Sequence, residues 1–260
     1  MTVFDGRLAA ALREQRPLMG IFTSVPSPPL VKMAGYARFD FVVIDNEHGP
    51  AGIETTEHLI RAARGAEIPP IVRVSGANTQ EILRTLDIGA AGIQVPQVNT
   101  VEQARLVVAA AKYPPVGNRG VAFGTRAAGY GFFGGAGYIE AANTQTVVVT
   151  HVETVDAVRN LDDMLRIDGI DVIFIGPTDL SVSMGYPGNP GHPEVQATIA
   201  DCIKRIAAAG RAPGLMLTGA DQFATFAGMG ARYLTLSMPS IIGSALKGII
   251  ASTKDKRNGK

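Results

Sequence analysis

Short apolar runs recur along the chain, and amphipathic stretches with helical spacing lie between them. Runs that are apolar on both faces are typical of a parallel sheet covered by helices on both sides. Eight predicted strands occupy 18–23, 39–45, 70–74, 92–95, 147–153, 171–176, 213–218 and 232–237. Because eight parallel strands close a (β/α)8 barrel, the pattern predicts an α/β fold of the TIM-barrel type.

An open, doubly wound sheet is the alternative arrangement of the same elements. Against it, no G-x-G-x-x-G sequence follows the first predicted strand. A length of 260 residues suits one barrel, so 1–260 is expected to be a single domain with a frayed polar tail at 254–260. The connection at 114–146 is too long for a simple turn, and we expect it to cover a site or to pack on a neighbouring subunit.

Composition narrows the class of protein. Apolar residues make up 46% of the chain and 24 basic residues nearly balance 23 acidic ones, so no nucleic acid partner is expected. No signal peptide is recognisable, and no run of about 20 apolar residues could span a membrane. The sequence therefore predicts a soluble, cytoplasmic protein. Its one cysteine, Cys202, rules out an internal disulfide and is expected to be a small core residue.

Polar and charged side chains cluster where the predicted strands end. They are Asp45, Glu47 and His48 after the second strand, Arg73 on the third, Gln97 past the fourth, His151 and Glu153 on the fifth, and Asp179 after the sixth. Taken singly, Asp179 could cap a helix, His48 could be a buried imidazole and Arg73 a structural ion-pair partner. Together they lie at the carboxyl ends of strands, where barrel enzymes build their active sites. The sequence therefore predicts one functional site at this end, here called the mouth.

The residue types at the mouth suggest a reaction. Glu153 and Asp179 offer carboxylate oxygens with no cysteine nearby, which suits Mg²⁺ or Mn²⁺ and also admits Co²⁺. Arg73 supplies a fixed cation for a carboxylate or a developing oxyanion. His48 with Asp45 resembles an acid–base pair in which the carboxylate orients the imidazole. A metal, a fixed cation and a general base are what an enolate-forming reaction on a 2-oxo acid requires.

Several longer segments resemble a known family. They are FDFVVIDNEHGP, PPIVRV, the run from LDIGAAGIQVP to GNRGV, the run from VETVDAVRN to GHPEV, and GRAPGLML. With these segments the chain resembles the HpcH/HpaI aldolase/citrate lyase family, and within it the metal-dependent class II pyruvate aldolases, over about residues 4–250. The resemblance implies a (β/α)8 barrel whose last helix is exchanged between subunits, in a homohexamer built as a trimer of dimers.

The resemblance also implies roles for individual residues. The implied metal ligands are Glu153 and Asp179. The implied catalytic residues are His48, Asp45, Arg73 and Asp87. The implied substrate contacts are Arg73, His151, Gly176, Pro177, Thr178 and Met216.

Two positions depart from the family pattern. Where relatives typically carry glutamine two residues before the metal glutamate, this chain has His151. An imidazole there could hydrogen-bond to metal-bound water or substrate, could ligate the ion directly, or could be purely structural. In 74–80, where relatives often carry a bulky aromatic residue, Gly76 and Ala77 leave space on the aldehyde side of the pocket.

The function implied by the resemblance is reversible cleavage of a 4-hydroxy-2-oxo acid to pyruvate and a small aldehyde, in aromatic or sugar-acid catabolism. Oxaloacetate decarboxylation is an expected side activity, and no organic cofactor is expected. No Schiff-base lysine lies at the predicted strand ends. Two alternatives stay open: a citrate-lyase-type enzyme that cleaves acyl-CoA thioesters, and a non-catalytic binding protein on the same scaffold. The lack of an adenine-binding signature argues against the first, and the intact set of candidate catalytic residues argues against the second.

Overall fold

In the computed structural model, which describes residues 5–257, the predicted strands form a closed barrel. The strands are β1 (Leu18–Thr23), β2 (Phe41–Asp45), β3 (Pro70–Arg73), β4 (Gly92–Val95), β5 (Val147–Val152), β6 (Val172–Ile175), β7 (Ala212–Met216) and β8 (Tyr233–Ser237). Each strand is parallel to its neighbours, and β8 pairs with β1 to close the ring. The predicted (β/α)8 barrel is confirmed, and the open sheet is excluded.

Helices connect the strands around the outside of the barrel. The α-helices are α1 (Arg7–Arg13), α2 (Pro28–Tyr36), α3 (Ile53–Gly65), α4 (Thr79–Asp87), α5 (Val101–Ala111), α6 (Ala136–Gln145), α7 (Val155–Arg159), α8 (Leu161–Leu165), α9 (Pro177–Ser183), α10 (Pro193–Ala208), α11 (Phe223–Gly228) and α12 (Met238–Arg257). The long connection before β5 contains α6 and a short 3₁₀ helix, Arg126–Gly131. The tail predicted at 254–260 extends beyond the described residues, and α12 reaches Arg257.

Alternate side chains of each strand fill the lumen, because strand side chains point to opposite faces with a period of two. Phe41 stacks on Tyr233 with their ring centroids 4.0 Å apart. Gly20 makes room for this pair, since a Cβ there would lie 2.2 Å from the Phe41 ring. Leu8 and Leu12 of α1 join the same cluster from below. Helix α1 therefore closes the amino end of the barrel, and the lumen is a packed core.

The outer core lies between the strands and the helices. Cys202 on α10 is fully buried there among Ile199, Ile203 and Ile206, as predicted. Burial raises the pKa of the Cys202 thiol to about 11, because the thiolate would lose its hydration. Among residues 5–257, no helix is long and apolar enough to cross a membrane.

Between residues 238 and 253, helix α12 packs on the barrel through its first turns. Met238 is buried and Ile242 is half-buried against the cluster that includes Ile21 and Ile44. Farther along, the large apolar residues are exposed, namely Ile241, Leu246, Ile249 and Ile250. Exposed apolar residues grouped on one helix are typical of an interaction surface.

Candidate active site

Strands β2 and β3 place an arginine and an aspartate side by side at the mouth. Asp45 and Arg73 are direct partners in the parallel register. The guanidinium donates from Nε to Oδ1 at 2.8 Å and from Nη2 to Oδ2 at 2.7 Å. Such a two-point pair fixes the plane of the guanidinium as well as its position. Arg73, with 13% of its side chain exposed, is thus a cation at the mouth whose position is fixed by Asp45.

A second acidic residue, Glu47, also pairs with Arg73. The Oε2 atom of Glu47 lies 2.8 Å from Nη1 of Arg73, in an ion pair. The Oδ1 atom of Asp45 also accepts the backbone N–H of Glu47 at 3.1 Å, which ties the loop after β2 to the strand. Burial raises the pKa of Glu47, although the positive charge of Arg73 opposes this shift. Two carboxylates therefore hold one guanidinium.

The side chain of His48 lies apart from Asp45. Only the backbone N–H of His48 reaches the Asp45 carboxylate, at 3.3 Å, while 68% of its side chain is exposed. The acid near its ring is Glu47, with 3.8 Å between Nε2 and Oε2. The predicted pair in which Asp45 orients the imidazole is therefore not formed, because Asp45 is already occupied by Arg73.

Glu153 follows β5 and is almost fully buried at the mouth. Its Oε1 accepts the backbone N–H of Gln97 at 2.7 Å, and its Oε2 lies 2.8 Å from Nδ1 of His151. Burial by itself would raise the pKa of Glu153, but these two hydrogen bonds and the charge of Arg73 outweigh it, so the pKa is lowered. Gln97 has a left-handed φ of 52°, a strained conformation that aims its N–H at the carboxylate.

His151 lies in the lumen beneath Glu153, with 2% of its surface exposed. Its ring stacks on Phe174 at a centroid distance of 4.8 Å. Its Nε2 lies 2.7 Å from Nε2 of Gln94, whose Oε1 accepts the hydroxyl of Tyr233 at 3.2 Å. Both ring nitrogens are therefore engaged by the protein. This geometry disfavours direct ligation of a metal by His151, one of the three roles left open.

The turn after β6 packs closely against the side chain of Glu153. Gly176 is the N-cap of α9, and a Cβ on it would lie 2.7 Å from Oε2 and 2.9 Å from Cβ of Glu153. Pro177 and Thr178 are the first two residues of α9, and Asp179 is the third. The Asp179 carboxylate is exposed and makes no hydrogen bond or ion pair with residues 5–253. Asp179 therefore lies one helical turn after Gly176, the residue that packs against Glu153.

Asp87 is not part of this site within one chain. It ends α4, and its carboxylate accepts a hydrogen bond from Nη2 of Arg119 at 2.7 Å. Helices in this fold run back toward the amino ends of the strands, so α4 ends at the opposite end of the barrel from Arg73. The implied catalytic role of Asp87 is therefore not supported here. Met216, in contrast, ends β7 on the mouth side and packs against the lumen cluster.

The sequence placed Glu47 at the mouth without a partner and did not single out three other residues that shape the site. They are Phe22 beneath the guanidinium of Arg73, and Gln94 and Tyr233 in the lumen. The signal for Gln94 was present, because a glutamine at the centre of the apolar run GIQV needs a buried partner. Its partner is 57 residues away in the chain, and only the barrel brings the two together.

The donors at the mouth fit a small, hard cation. Glu153 and Asp179 offer carboxylate oxygens. Among the described residues each Glu153 oxygen has one hydrogen-bond partner, which leaves it a further lone pair. Within residues 5–257 no cluster of three or more His, Cys, Asp or Glu side chains is grouped as a ready-made metal site. Two carboxylates match the habit of Mg²⁺, which is bound through one or two carboxylates and keeps several waters.

Comparison with known proteins agrees with the fold and the site. The HpcH/HpaI aldolase/citrate lyase family model matches residues 18–239. The chain is 37% identical to the 2-keto-3-deoxy-L-rhamnonate aldolase of Escherichia coli K12 over 250 residues, 95% of this chain and 93% of that enzyme. It is 38% identical to a hydroxypyruvate/pyruvate aldolase of Roseobacter denitrificans over 88% of this chain and 89% of the relative.

A solved structure shows the same architecture. An HpcH/HpaI aldolase/citrate lyase family protein from Burkholderia cenocepacia superposes with a TM-score of 0.90 at 29% identity, covering 95% of this chain and 98% of the other. A closed (β/α)8 barrel with an acidic, arginine-bearing mouth and aldolase relatives defines a carbon–carbon lyase of the aldolase type. The chain belongs to the HpcH/HpaI aldolase/citrate lyase family.

Proposed function

We propose that the protein is a divalent-metal-dependent pyruvate aldolase that reversibly cleaves a 4-hydroxy-2-oxo acid to pyruvate and an aldehyde. The observation that supports this best is that Arg73 and Glu153 lie at the same mouth of the barrel. Arg73 ends β3 and Glu153 directly follows β5, and the carboxyl ends of the parallel strands share one opening. A fixed cation beside a free carboxylate lone pair suits a bound 2-oxo acid and its developing negative charge.

Arg73 is the residue that we assign to the keto acid. Its guanidinium has five N–H donors, and two are committed to Asp45. Donors on Nη1 and Nη2 remain, with Glu47 beside them. They can hydrogen-bond to the carboxylate or the C2 oxygen of the substrate, and they strengthen that interaction as negative charge grows on the oxygen. Backbone amides at Thr178 and Asp179, together with Gly176 and Pro177, would line the substrate carboxylate.

His48 is the residue that we assign to proton transfer. Its exposed imidazole takes the proton from the C4 hydroxyl of the substrate, and the new C4–O π bond forms as the C3–C4 bond breaks. The electron pair of that bond passes into the C2–C3 enolate of pyruvate, which is then protonated at C3. In the reverse direction the same group returns the proton to the C4 oxygen.

Glu153 and Asp179 would hold the divalent ion, for which Mg²⁺, Mn²⁺ and Co²⁺ are the candidates. Bound there, the ion supplies Lewis-acid stabilisation of negative charge on the C2 oxygen. The buried hydrogen bonds to Glu153 keep its carboxylate ionised and ready for a cation. The proposal includes no organic cofactor, and it predicts metal-dependent decarboxylation of oxaloacetate, which passes through the same enolate.

The aldehyde is assigned to the side of the mouth next to β3. Gly76 faces open space, with no atom within 4 Å of the place where a Cβ would lie. A polar pocket of about 460 Å³ adjoins this loop and is lined by Asn46, Ser75 and Asn78 among others. Space and polar groups together favour a hydroxylated aldehyde, as in sugar-acid catabolism.

The predicted homohexamer, a trimer of dimers, would use the exposed apolar residues of α12, and sedimentation of the purified chain tests it.

Proton exchange tests the proposed function directly. Purified enzyme is incubated with pyruvate in D₂O, and loss of the methyl signal is followed by NMR with EDTA or with added Mn²⁺. We expect exchange that stops in EDTA and returns with Mn²⁺. Treatment with pyruvate and borohydride should leave the enzyme active, because no lysine forms a Schiff base. Exchange that is indifferent to EDTA, together with inactivation by borohydride, would refute the metal-dependent mechanism.

A further inference from the structure

A line of four buried polar side chains crosses the lumen and ends at the mouth. Tyr233 donates its hydroxyl to Oε1 of Gln94 at 3.2 Å, Nε2 of Gln94 is 2.7 Å from Nε2 of His151, and Nδ1 of His151 is 2.8 Å from Oε2 of Glu153. Exposure along this line is 0%, 0%, 2% and 4% from Tyr233 to Glu153. The residues packed around Tyr233 and His151 in the lumen are largely apolar, among them Phe41, Val149 and Phe174. Buried polar groups are costly unless paired, so this line requires an explanation.

The hydrogen bonds along the line all run in one direction. A carboxylate accepts hydrogen bonds, and Oε1 of Glu153 accepts the N–H of Gln97, so Nδ1 of His151 is taken as the donor to Oε2. In that tautomer Nε2 accepts from the Gln94 amide nitrogen, and the amide oxygen accepts from the Tyr233 hydroxyl. Each of the three contacts along the line then joins one donor to one acceptor. The geometry of the line therefore favours the tautomer of His151 with its proton on Nδ1.

Packing holds the members of the line in place. The ring of His151 stacks on Phe174, which meets Tyr233 edge to face at 6.1 Å, and Tyr233 stacks on Phe41. These contacts leave the imidazole few alternative positions. From this fixed position it reaches one oxygen of Glu153, and the strained N–H of Gln97 reaches the other.

We propose that His151 is a positioning residue that locks the carboxylate of Glu153, and that Gln94 and Tyr233 lock His151 in turn. His151 then has no direct contact with the substrate. The inference rests on the proposed function of Glu153 as a metal ligand. Partners of this kind commonly contribute 10–100-fold to metal affinity.

Two substitutions of His151 test the contacts of its two ring nitrogens separately. His151→Asn places an amide nitrogen near the position of Nδ1, so it can still donate to Glu153 while it loses Gln94. His151→Gln places its amide near the position of Nε2, so it can keep Gln94 while it loses Glu153. Both remove the same stacking on Phe174, which makes each a matched control for the other.

The readout is the affinity of the full chain for Mn²⁺ alone, measured by EPR titration, with thermal unfolding in EDTA recorded beside it. We expect His151→Asn to bind Mn²⁺ within about threefold of the native protein, and His151→Gln to bind about 10–100-fold more weakly. The two should lose similar stability. Equal and native-like Mn²⁺ affinity in both variants, or equal losses in both, would overturn the positioning role.

A measurement on the native protein keeps the inference testable if the variants fold poorly. The ¹H–¹⁵N spectrum of histidine-labelled, metal-free protein should show His151 protonated at Nδ1, and protonation at Nε2 alone would contradict the proposed line. Native protein that binds no Mn²⁺ at the mouth would refute the proposed function. Native protein that binds Mn²⁺ while both His151 variants match it would refute only the positioning role.

Discussion

Arg73 holds Asp45 through two parallel hydrogen bonds of 2.8 and 2.7 Å, and this pairing takes Asp45 away from the His48 imidazole. The carboxylate is thus a support for the substrate-binding cation. A lysine cannot reproduce the planar fork of an arginine. Arg73→Lys should therefore lower kcat/KM by about 100-fold, the equivalent of one or two charged hydrogen bonds. Arg105→Lys, an exposed arginine on α5, serves as the control and should stay near the native value.

His48 should be the essential base even though it is exposed. His48→Ala is expected to lower kcat by about 10²–10⁴-fold, the usual contribution of a general base. Because 68% of the native side chain is exposed, the space left by the substitution should admit solutes from solvent. Added imidazole should then restore part of the activity. His58→Ala on α3 is the matched control, and a similar loss there would contradict the assignment.

Gly176 should be required for the position of Glu153. A methyl group on Gly176 would lie 2.9 Å from Cβ of Glu153, an atom that cannot move without the strand. Gly176→Ala is therefore expected to weaken both Mn²⁺ binding and activity by more than about tenfold, the scale of a disturbed ligand support. Gly137→Ala in α6 is the control, because its Cβ would meet open space. Native-like Mn²⁺ affinity in Gly176→Ala would show that the close packing of Gly176 on Glu153 is not needed.

The space at Gly76 should set the size of the aldehyde. Gly76→Trp fills an open region beside β3 and leaves the pyruvate contacts untouched. We expect kcat/KM for long, hydroxylated aldehydes to fall by about tenfold or more, as for loss of good fit in a pocket. Pyruvate proton exchange in D₂O should stay within about twofold and thus provides the internal control. An equal fall in both rates would place Gly76 in the pyruvate half of the site.

The Cys202 thiol should be unreactive and should couple stability to alkaline pH. Burial raises its pKa from 9.0 to about 11, so the unfolded chain ionises first as the pH rises. Stability is therefore lost between about pH 9 and 11, by up to about 3 kcal/mol for two units. Cys202→Ala should show a shallower loss in urea titrations over this range. Native protein at pH 8 should react with a thiol reagent only after unfolding.

The fold could be predicted from the sequence because each strand is an apolar run of its own, and all eight were located to within two residues of their observed ends. The positions of Arg73, Glu153 and Asp179 at the mouth follow from the same pattern. The partner of Asp45 could not be predicted, because Arg73 and His48 are equally plausible until the register of β2 and β3 is known. Asp87 ends α4 and pairs with Arg119 within one chain, so its implied catalytic role stays a prediction.

Helix α1 closes the amino end of the barrel, so everything that enters or leaves the site must pass the carboxyl ends of the strands. Arg73 and Glu153 lie deep at this single opening, while His48 stands near its rim. The keto-acid part of the substrate, bound by Arg73, consequently lies below the aldehyde part, which contacts His48. Release is expected to be ordered, with the aldehyde departing first and pyruvate last, and in synthesis pyruvate must be loaded before its partner.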